Sequence, residues 1–337
     1  MTNSTRMALT RRQLLKTSLT GAALLGAPAI ASAKGKVTLR AAHIESTESA
    51  THKGYLEFAK LVKEATGGAV EVKVFPAGQL GNLRDLFEGL KLGSVDITSC
   101  GPDYSANLAP IMVTAALYYS YRDDAHVDKL LEGEFSARLS EAMFKQAGMR
   151  ILGWGELGWR SVFNTVQPIT TADDFKGLKL RVPEAKLHLV PMKALGASPT
   201  PIPYSEVYTA MQTGVVDGAE ATPAVVIQQK FNEVSKYYSL TRHLFNPIHL
   251  VIGGFAYDKL SKEQQSAVEL AARDAFRNQR KTARDDNAAA LEQLKASGLA
   301  VNDVDTDPLR EIVQPVWQDL TKDLGPEGQE LIKLLQA

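Results

Sequence analysis

Arg181 stands at the end of a short alternating run, Leu178-Lys179-Leu180-Arg181-Val182, which Pro183 stops at once. Leu178, Leu180 and Val182 form the apolar face of a half-buried strand, so Arg181 points away from that face at the strand's end. Strand ends that border a crevice are where open α/β sheets hold ligands. A guanidinium there offers a rigid fork of donors that fits a carboxylate with two parallel hydrogen bonds. The alternative is a solvated arginine or an internal salt bridge, as for most arginines. Arg160, in the run GWRSVFN from Gly158 to Asn164, is a second cationic candidate in a strand region.

Other chemistries lack their motifs. The sequence has no G-x-S-x-G, no GxxxxGK[ST], no H-E-x-x-H, no C-x-x-C, and no GxGxxG after its first strand. Its six histidines are scattered without metal-ligand spacing, so no metal or cofactor is expected. His188 falls in a helix and reads as a partly buried structural residue. The single cysteine, Cys100, excludes an internal disulfide framework and reads as a buried filler at a strand end.

Several elements must position these groups. Val37, Leu39 and Ala41 make a first strand that runs into His43-Ile44-Glu45. A helix follows with Tyr55, Phe58, Ala59 and Val62 on one face, closed by Gly67-Gly68. Val70, Val72 and Val74 make a second strand, Arg84 to Leu92 a second helix, and Val95 to Cys100 a third strand with Tyr104 just past it. This alternation implies a parallel sheet with right-handed crossovers. Tyr118, Tyr119 and Tyr121 cluster without periodicity and serve either packing or binding. Asp128 to Gln146 is an amphipathic helix, and Arg150 to Gly155 returns as a strand. Beyond Arg181, Gly196 ends a helix, and Pro199, Pro201 and Pro203 hold the chain extended and deliver Tyr204 to a fixed place. Ser205 caps a short helix that Gly214 ends, and Val215 to Gly218 reads as a strand and turn, with Glu220 and Thr222 just after it. Lys262 to Ser297 holds no Gly or Pro and is opened by a capping box at Ser261 and Gln264. Such a helix is about 50 Å long, and its polar middle, Arg277 to Asn287, is expected to face solvent.

The run LRVPEAKLHLVPMKALGASPTPIPYSEVYTAMQTGVVDGAE resembles the signature of the DctP-type periplasmic solute-binding proteins that serve TRAP transporters. KVFPAGQLGNLRDLFEGLKLGSVDI, GWRSVFN and QQKFNEVSKYY extend the resemblance over the mature chain. It implies an α/β fold, a two-lobed periplasmic binding protein (type II-like flytrap) with crossing strands and a long lobe-spanning helix. The lobes implied are residues 36–157 with 247–284 and residues 158–246 with 285–337. The resemblance makes Arg181 the holder of the ligand carboxylate, Arg160 a second contact with Asn164 nearby, Tyr204 a packing surface, and Glu220 the family's acidic residue. After Glu220, Ala221-Thr222 stands in place of an Asn that can bond ligand hydroxyls in some relatives, and Pro191 sits in a helix that relatives leave uninterrupted.

His43, Glu45 and Glu48 in the first loop, Tyr104, and Glu184 beside Arg181 complete the polar candidates. Carboxylates near a carboxylate ligand are useful when the ligand also donates hydroxyls, which favours a uronate or aldonate over a small keto acid or C4-dicarboxylate. The partners implied are a small anionic solute and the TRAP membrane subunits. A sensor module on the same fold and a periplasmic enzyme acting on sugar acids are the competing functions.

The first 33 residues carry Arg6, Arg11, Arg12 and Lys16 and no acidic residue, followed by a mild apolar run and Ala31-Ser32-Ala33. They read as an export signal, with the paired arginines favouring the twin-arginine route. Its removal turns a balance of 38 basic and 38 acidic residues into 34 and 38, a net charge of −4. A mildly acidic chain without a basic cluster is not a nucleic-acid binder.

Overall fold

Two strands of unusual length carry the architecture: β4, Met149–Asn164, and β8, Tyr237–Gly253. A computed structural model describes residues 36–337, so the export signal lies outside the described residues. β4 and β8 pair antiparallel from Met149 opposite Gly253 to Asn164 opposite Tyr237, with register shifts near Leu152, Leu157 and Ser161. The sequence suggested two separate strands where β4 runs unbroken.

The remaining strands join this spine at its two ends. β1 (Val37–Ala42), β2 (Val70–Phe75) and β3 (Ile97–Cys100) are mutually parallel around β1, and β3 pairs antiparallel with the C-terminal part of β8. At the other end β7 (Gly218–Ala221) pairs with β4, β5 (Lys179–Val182) runs parallel to β7, and β6 (Ser198–Pro201) runs parallel to β5 at the sheet's edge. The edge is where a proline-rich strand belongs, because its missing N–H groups face no ladder. β9 (Ala300–Asp303) adds to β8. Each half of the sheet is covered on both faces, which gives four apolar clusters built around Leu86, Phe58, Leu180 and Phe163.

The first helix, α1 (Ala50–Ala65), buries Tyr55, Phe58 and Val62 as its periodicity requires, and α2 (Leu83–Leu92) is opened by a capping box from Asn82 and Asp85. The expected helix from Asp128 to Gln146 is instead two, α3 (Asp124–Glu132) and α4 (Glu134–Ala147), broken at Gly133. Gly133 is extended there, and a Cβ would lie 2.5 Å from the Lys129 carbonyl. Pro191 is accommodated inside α5 (Lys186–Ala194), whose helical turns continue through it. Cys100 ends β3, buried as expected, with its Sγ 3.6 Å from His249 Nε2.

The longest helix, α6 (Lys262–Ala296), starts from the expected capping box at Ser261. Its polar middle faces solvent only on one side, through Arg277, Asn278, Lys281 and Asp285; the other side packs on β4. Gln279 is buried and hydrogen-bonds both backbone groups of Glu156, accepting from N at 2.9 Å and donating to O at 2.7 Å. Arg280 donates to the Trp154 carbonyl at 2.9 Å and Asn287 to the Leu157 carbonyl at 2.8 Å, while Arg284 bridges Glu156 and Asp128. The register shift near Leu157 disrupts β4's own pairing, and the polar stripe of α6 supplies bonds to the backbone around it. Replacing Gln279 by Leu strands two buried backbone groups. The expected cost is about 2 to 4 kcal/mol of unfolding free energy, read from the urea midpoint.

Candidate functional site

Arg160 and Glu220 face each other across β4 and β7, where Val162 is paired with Glu220 in register. Both are buried, Glu220 completely. Arg160 Nε donates to Glu220 Oε2, and Nη2 donates to Oε1 and to the Glu220 carbonyl, each at 2.7 Å. Nη1 donates to Asn246 Oδ1 at 3.0 Å. These bonds use four of the five N–H groups that a guanidinium carries. Arg160 is therefore engaged with the protein, and one Nη1 hydrogen remains for the second contact that the resemblance implied.

Glu220 has a further partner in His243, whose Nε2 lies 3.3 Å from Oε2. An ionised carboxylate only accepts, so Nε2 carries the proton, and Nδ1 accepts from the Thr241 hydroxyl at 2.8 Å. Burial pushes the His243 ring towards the neutral form. It also works against the Glu220 carboxylate, but the charge of Arg160 and the bond from His243 outweigh it, holding Glu220 well below the usual range. A parallel arrangement lies beside it. His188, buried in α5, accepts from the Tyr118 hydroxyl at 3.1 Å and donates to Asp103 at 3.2 Å, so His188 has the structural place its sequence suggested. Tyr118, Tyr119 and Tyr121 are all buried packing residues.

Arg181 is different. It is 5% exposed, on β5 between Leu180 and Val182, and its Nε donates to the Ile202 carbonyl at 2.8 Å. The extended proline run brings that carbonyl alongside, since Ile202 N bonds Val182 O at 3.2 Å. Among the described residues no carboxylate makes a salt bridge with Arg181, and neither terminal amino group has a partner. Burial pulls its pKa down to about 10, against the more distant charge of Glu220, so it stays protonated at neutral pH. The result is a buried cation whose outward fork of N–H groups is unused.

Tyr204, in a 3-10 turn that opens the helix Val207–Gln212, packs edge-on to Phe231 at 6.5 Å. Burial raises its hydroxyl pKa, as does the charge of Glu45, while Arg160 and Arg181 act against the rise. Those four side chains therefore share one electrostatic neighbourhood. Glu45 is pushed up to about 7 by burial, with Arg160 opposing. Thr222 is buried with its hydroxyl unpartnered. His43 is buried against His52, with 3.0 Å between Nε2 and Nδ1, and burial together with His52 lowers it to about 4. Tyr104 is half-buried with its ring 5.1 Å from that of Phe87.

Two candidates are corrected. Asn164 accepts from the N–H groups of Val166 and Gln167 and donates to the Gln167 carbonyl, so its amide holds a turn. Glu184 is exposed, as is Glu48. The strand expected at Val215 starts at Gly218, because Val215 is 57% exposed and only a glycine fits 2.2 Å from the Phe163 carbonyl. Sequence reading missed Asn246, His243 and Asp103. Asn246 inside the apolar run of β8, Leu244 to Ile252, and His243 at its edge were the available signal for the first two.

A family model for bacterial extracellular solute-binding proteins, family 7 (DctP), matches residues 41–323. The chain belongs to this family. A 2,3-diketo-L-gulonate-binding periplasmic protein, YiaO, of Escherichia coli is 33% identical, covering 88% of this chain and 90% of its own. A TRAP periplasmic solute-binding protein from Bradyrhizobium sp. BTAi1, solved with galacturonate, superposes with a TM-score of 0.85 at 32% identity, covering 89% and 99% of the two chains. The sugar-acid-binding protein of Advenella mimigardefordensis, solved with galactonate, gives 0.84 at 29% identity, covering 89% and 97%. This family 7 chain is thus a two-lobed α/β periplasmic solute-binding protein of the TRAP type, and no helix among its described residues is long and apolar enough to cross a membrane.

The two kinds of carboxylate in this family 7 site set opposite pH dependences. Glu220 has a depressed pKa, so its contribution to stability is complete above the ordinary value of 4.5 and is lost only as pH falls through its lower folded value. Glu45 and Glu156 are raised from 4.5 to about 7, by burial in each case, so the folded chain holds protons that the unfolded chain has released. Their part of the stability therefore falls as pH rises from about 4.5 to about 7. Glu45→Gln is expected to reduce the drop in thermal midpoint between about pH 5 and about pH 7.5 relative to the unaltered protein, as followed by circular dichroism.

Proposed function

We propose that this chain captures a hydroxylated organic acid, a uronate or an aldonate, by its carboxylate on Arg181, and delivers it to TRAP membrane subunits unchanged. The observation that carries this reading is the buried Arg181 fork with no carboxylate of the protein's own. Moving a solute carboxylate out of water costs several kcal/mol, and each charge-assisted bond returns about 1.5 to 3 kcal/mol. Two bonds from Arg181, with the remaining Nη1 hydrogen of Arg160 and neutral donors nearby, cover that cost. Tyr204 supplies the packing surface. The galacturonate and galactonate found with the two structural relatives support the solute class.

Closure of two lobes on the solute is the motion we assign to the fold. The division proposed for the lobes, at 157/158 and 246/247, is supported by the register shift that pairs Glu156 with Pro247 and then Gly158 with Asn246. A flexible point in both crossing strands is what a hinge needs.

The test is a thermal-shift screen of the chain from Lys34 onward against uronates, aldonates, keto acids and C4-dicarboxylates. A ligand at 100 times its Kd adds about 2.7 kcal/mol and moves the midpoint by a few degrees. Arg181→Ala is expected to weaken the responding acid by two to three orders of magnitude, roughly two charged hydrogen bonds, while holding or raising the stability of the ligand-free protein. Arg181→Lys recovers little because the fork is lost. Silence towards every anionic solute, or full affinity in Arg181→Lys, contradicts the reading.

A further inference from the structure

His188 and Asp103 join the two halves of the sheet by a single polar contact. His188 stands on α5, which starts four residues after β5 ends and belongs to the same half as Arg181: Leu180, Val182, Leu187 and Met192 share one apolar cluster. Asp103 stands on the short helix Pro102–Ser105, directly after β3 in the other half. His188 Nε2 lies 3.2 Å from Asp103 Oδ2, and among the described residues no other acid–base pair joins residues 36–157 to residues 158–246.

The surroundings aim this bond. Tyr118 precedes the crossing strands in sequence but packs in the apolar cluster of β5 and α5. Its hydroxyl donates to His188 Nδ1 at 3.1 Å, which leaves the proton of a neutral ring on Nε2, facing the carboxylate. Burial works against an ionised Asp103, but the bond and charge of His188, and then the charge of Arg160, hold its pKa below the usual range. An ionised acceptor makes the bond a strong one. The two partners differ in exposure: the His188 side chain is 2% exposed and that of Asp103 is 21% exposed. A pair with one partly solvated member can part and re-form, because the carboxylate recovers water as it leaves. The Arg160–Glu220 pair, with both side chains buried and both residues in one half, has no such freedom.

We infer that Asp103 and His188 form a clasp between the two halves, made when they close on a solute and broken when they part, so that it slows the solute's release. This rests on the solute reading and the lobe division proposed above. A solute enters the parted form, in which the bond is not made. The clasp therefore acts on the dissociation rate and leaves the association rate alone. Because α5 follows β5 so closely, a solute seated on Arg181 and the histidine of the clasp are carried by the same half.

The test is stopped-flow measurement of association and dissociation rates in the chain from Lys34 onward and its His188→Phe and His188→Gln variants, with the thermal midpoint of each ligand-free protein. The probe is whichever of D-galacturonate, D-galactonate, pyruvate and succinate the unaltered protein binds most tightly. His188→Phe keeps a ring and removes both hydrogen bonds. It is expected to speed dissociation about tenfold, the loss of one charge-assisted bond, with association changed by less than about twofold. His188→Gln returns an N–H donor towards Asp103 and is expected to bring dissociation back to within about threefold of the unaltered protein. Dissociation that is no faster in His188→Phe, whatever its thermal midpoint, overturns the clasp and leaves the Arg181 reading standing. Silence of the unaltered protein towards all four acids removes that reading and the clasp with it.

Discussion

A guanidinium buried without a counter-charge is the interaction on which the site depends. Arg181 has given up most of its water, has one carbonyl for compensation, and feels Glu220 only at a distance. The neighbouring Arg160 shows the ordinary solution to the same problem, with Glu220, Asn246 and the Glu220 carbonyl absorbing its donors. Two arginines of similar burial thus have opposite roles. One is neutralised by its partners; the other is left in deficit, and that deficit is what we propose an anionic solute relieves. Strain of this kind at a functional position is paid for by the surrounding fold.

What holds the deficit in place is the irregular crossing of β4 and β8. A straight antiparallel pair has no internal point of bending, whereas the register shift near Leu157 leaves backbone groups that must bond elsewhere. The polar middle of α6 meets that need through Gln279, Arg280 and Asn287. Arg284 then ties Glu156 to Asp128 of α3. Hydrogen bonds and charges thus supplement the apolar packing of Leu152, Ile248 and Phe276 at the crossing.

Local pattern carried much of this into the sequence. The alternation of Val70, Val72 and Val74, the helical spacing of Tyr55, Phe58 and Val62, and the capping box at Ser261 each depend on neighbours in the chain, and each element formed accordingly. The place of Arg181 at a strand end was legible from the alternation and Pro183, but its burial without a carboxylate partner was not. The partners of Arg160 were not legible, since Asn246 lies 86 residues away and its meeting with Arg160 depends on how β4 and β8 cross. Asn164 misled for the opposite reason: its type fits a ligand, but a residue at the end of β4 serves the turn that follows. The polar stripe of α6 was read as solvated because periodicity reports polarity and cannot report that a bulged strand lies opposite. The break at Gly133 shows a similar limit, as a single glycine inside a helical pattern does not reveal whether a carbonyl crowds it.

The measurement that bears most directly on the unpaired guanidinium is a comparison of D-galacturonate with D-galactose, which presents the same ring without the carboxylate, by calorimetric titration at one pH and salt concentration. The account predicts that galactose binds at least a hundredfold more weakly, because it leaves Arg181 buried and without a partner. Affinities within a few-fold of each other would contradict it, and would mean that the protein reads the ring and that the charge of Arg181 is compensated in some other way.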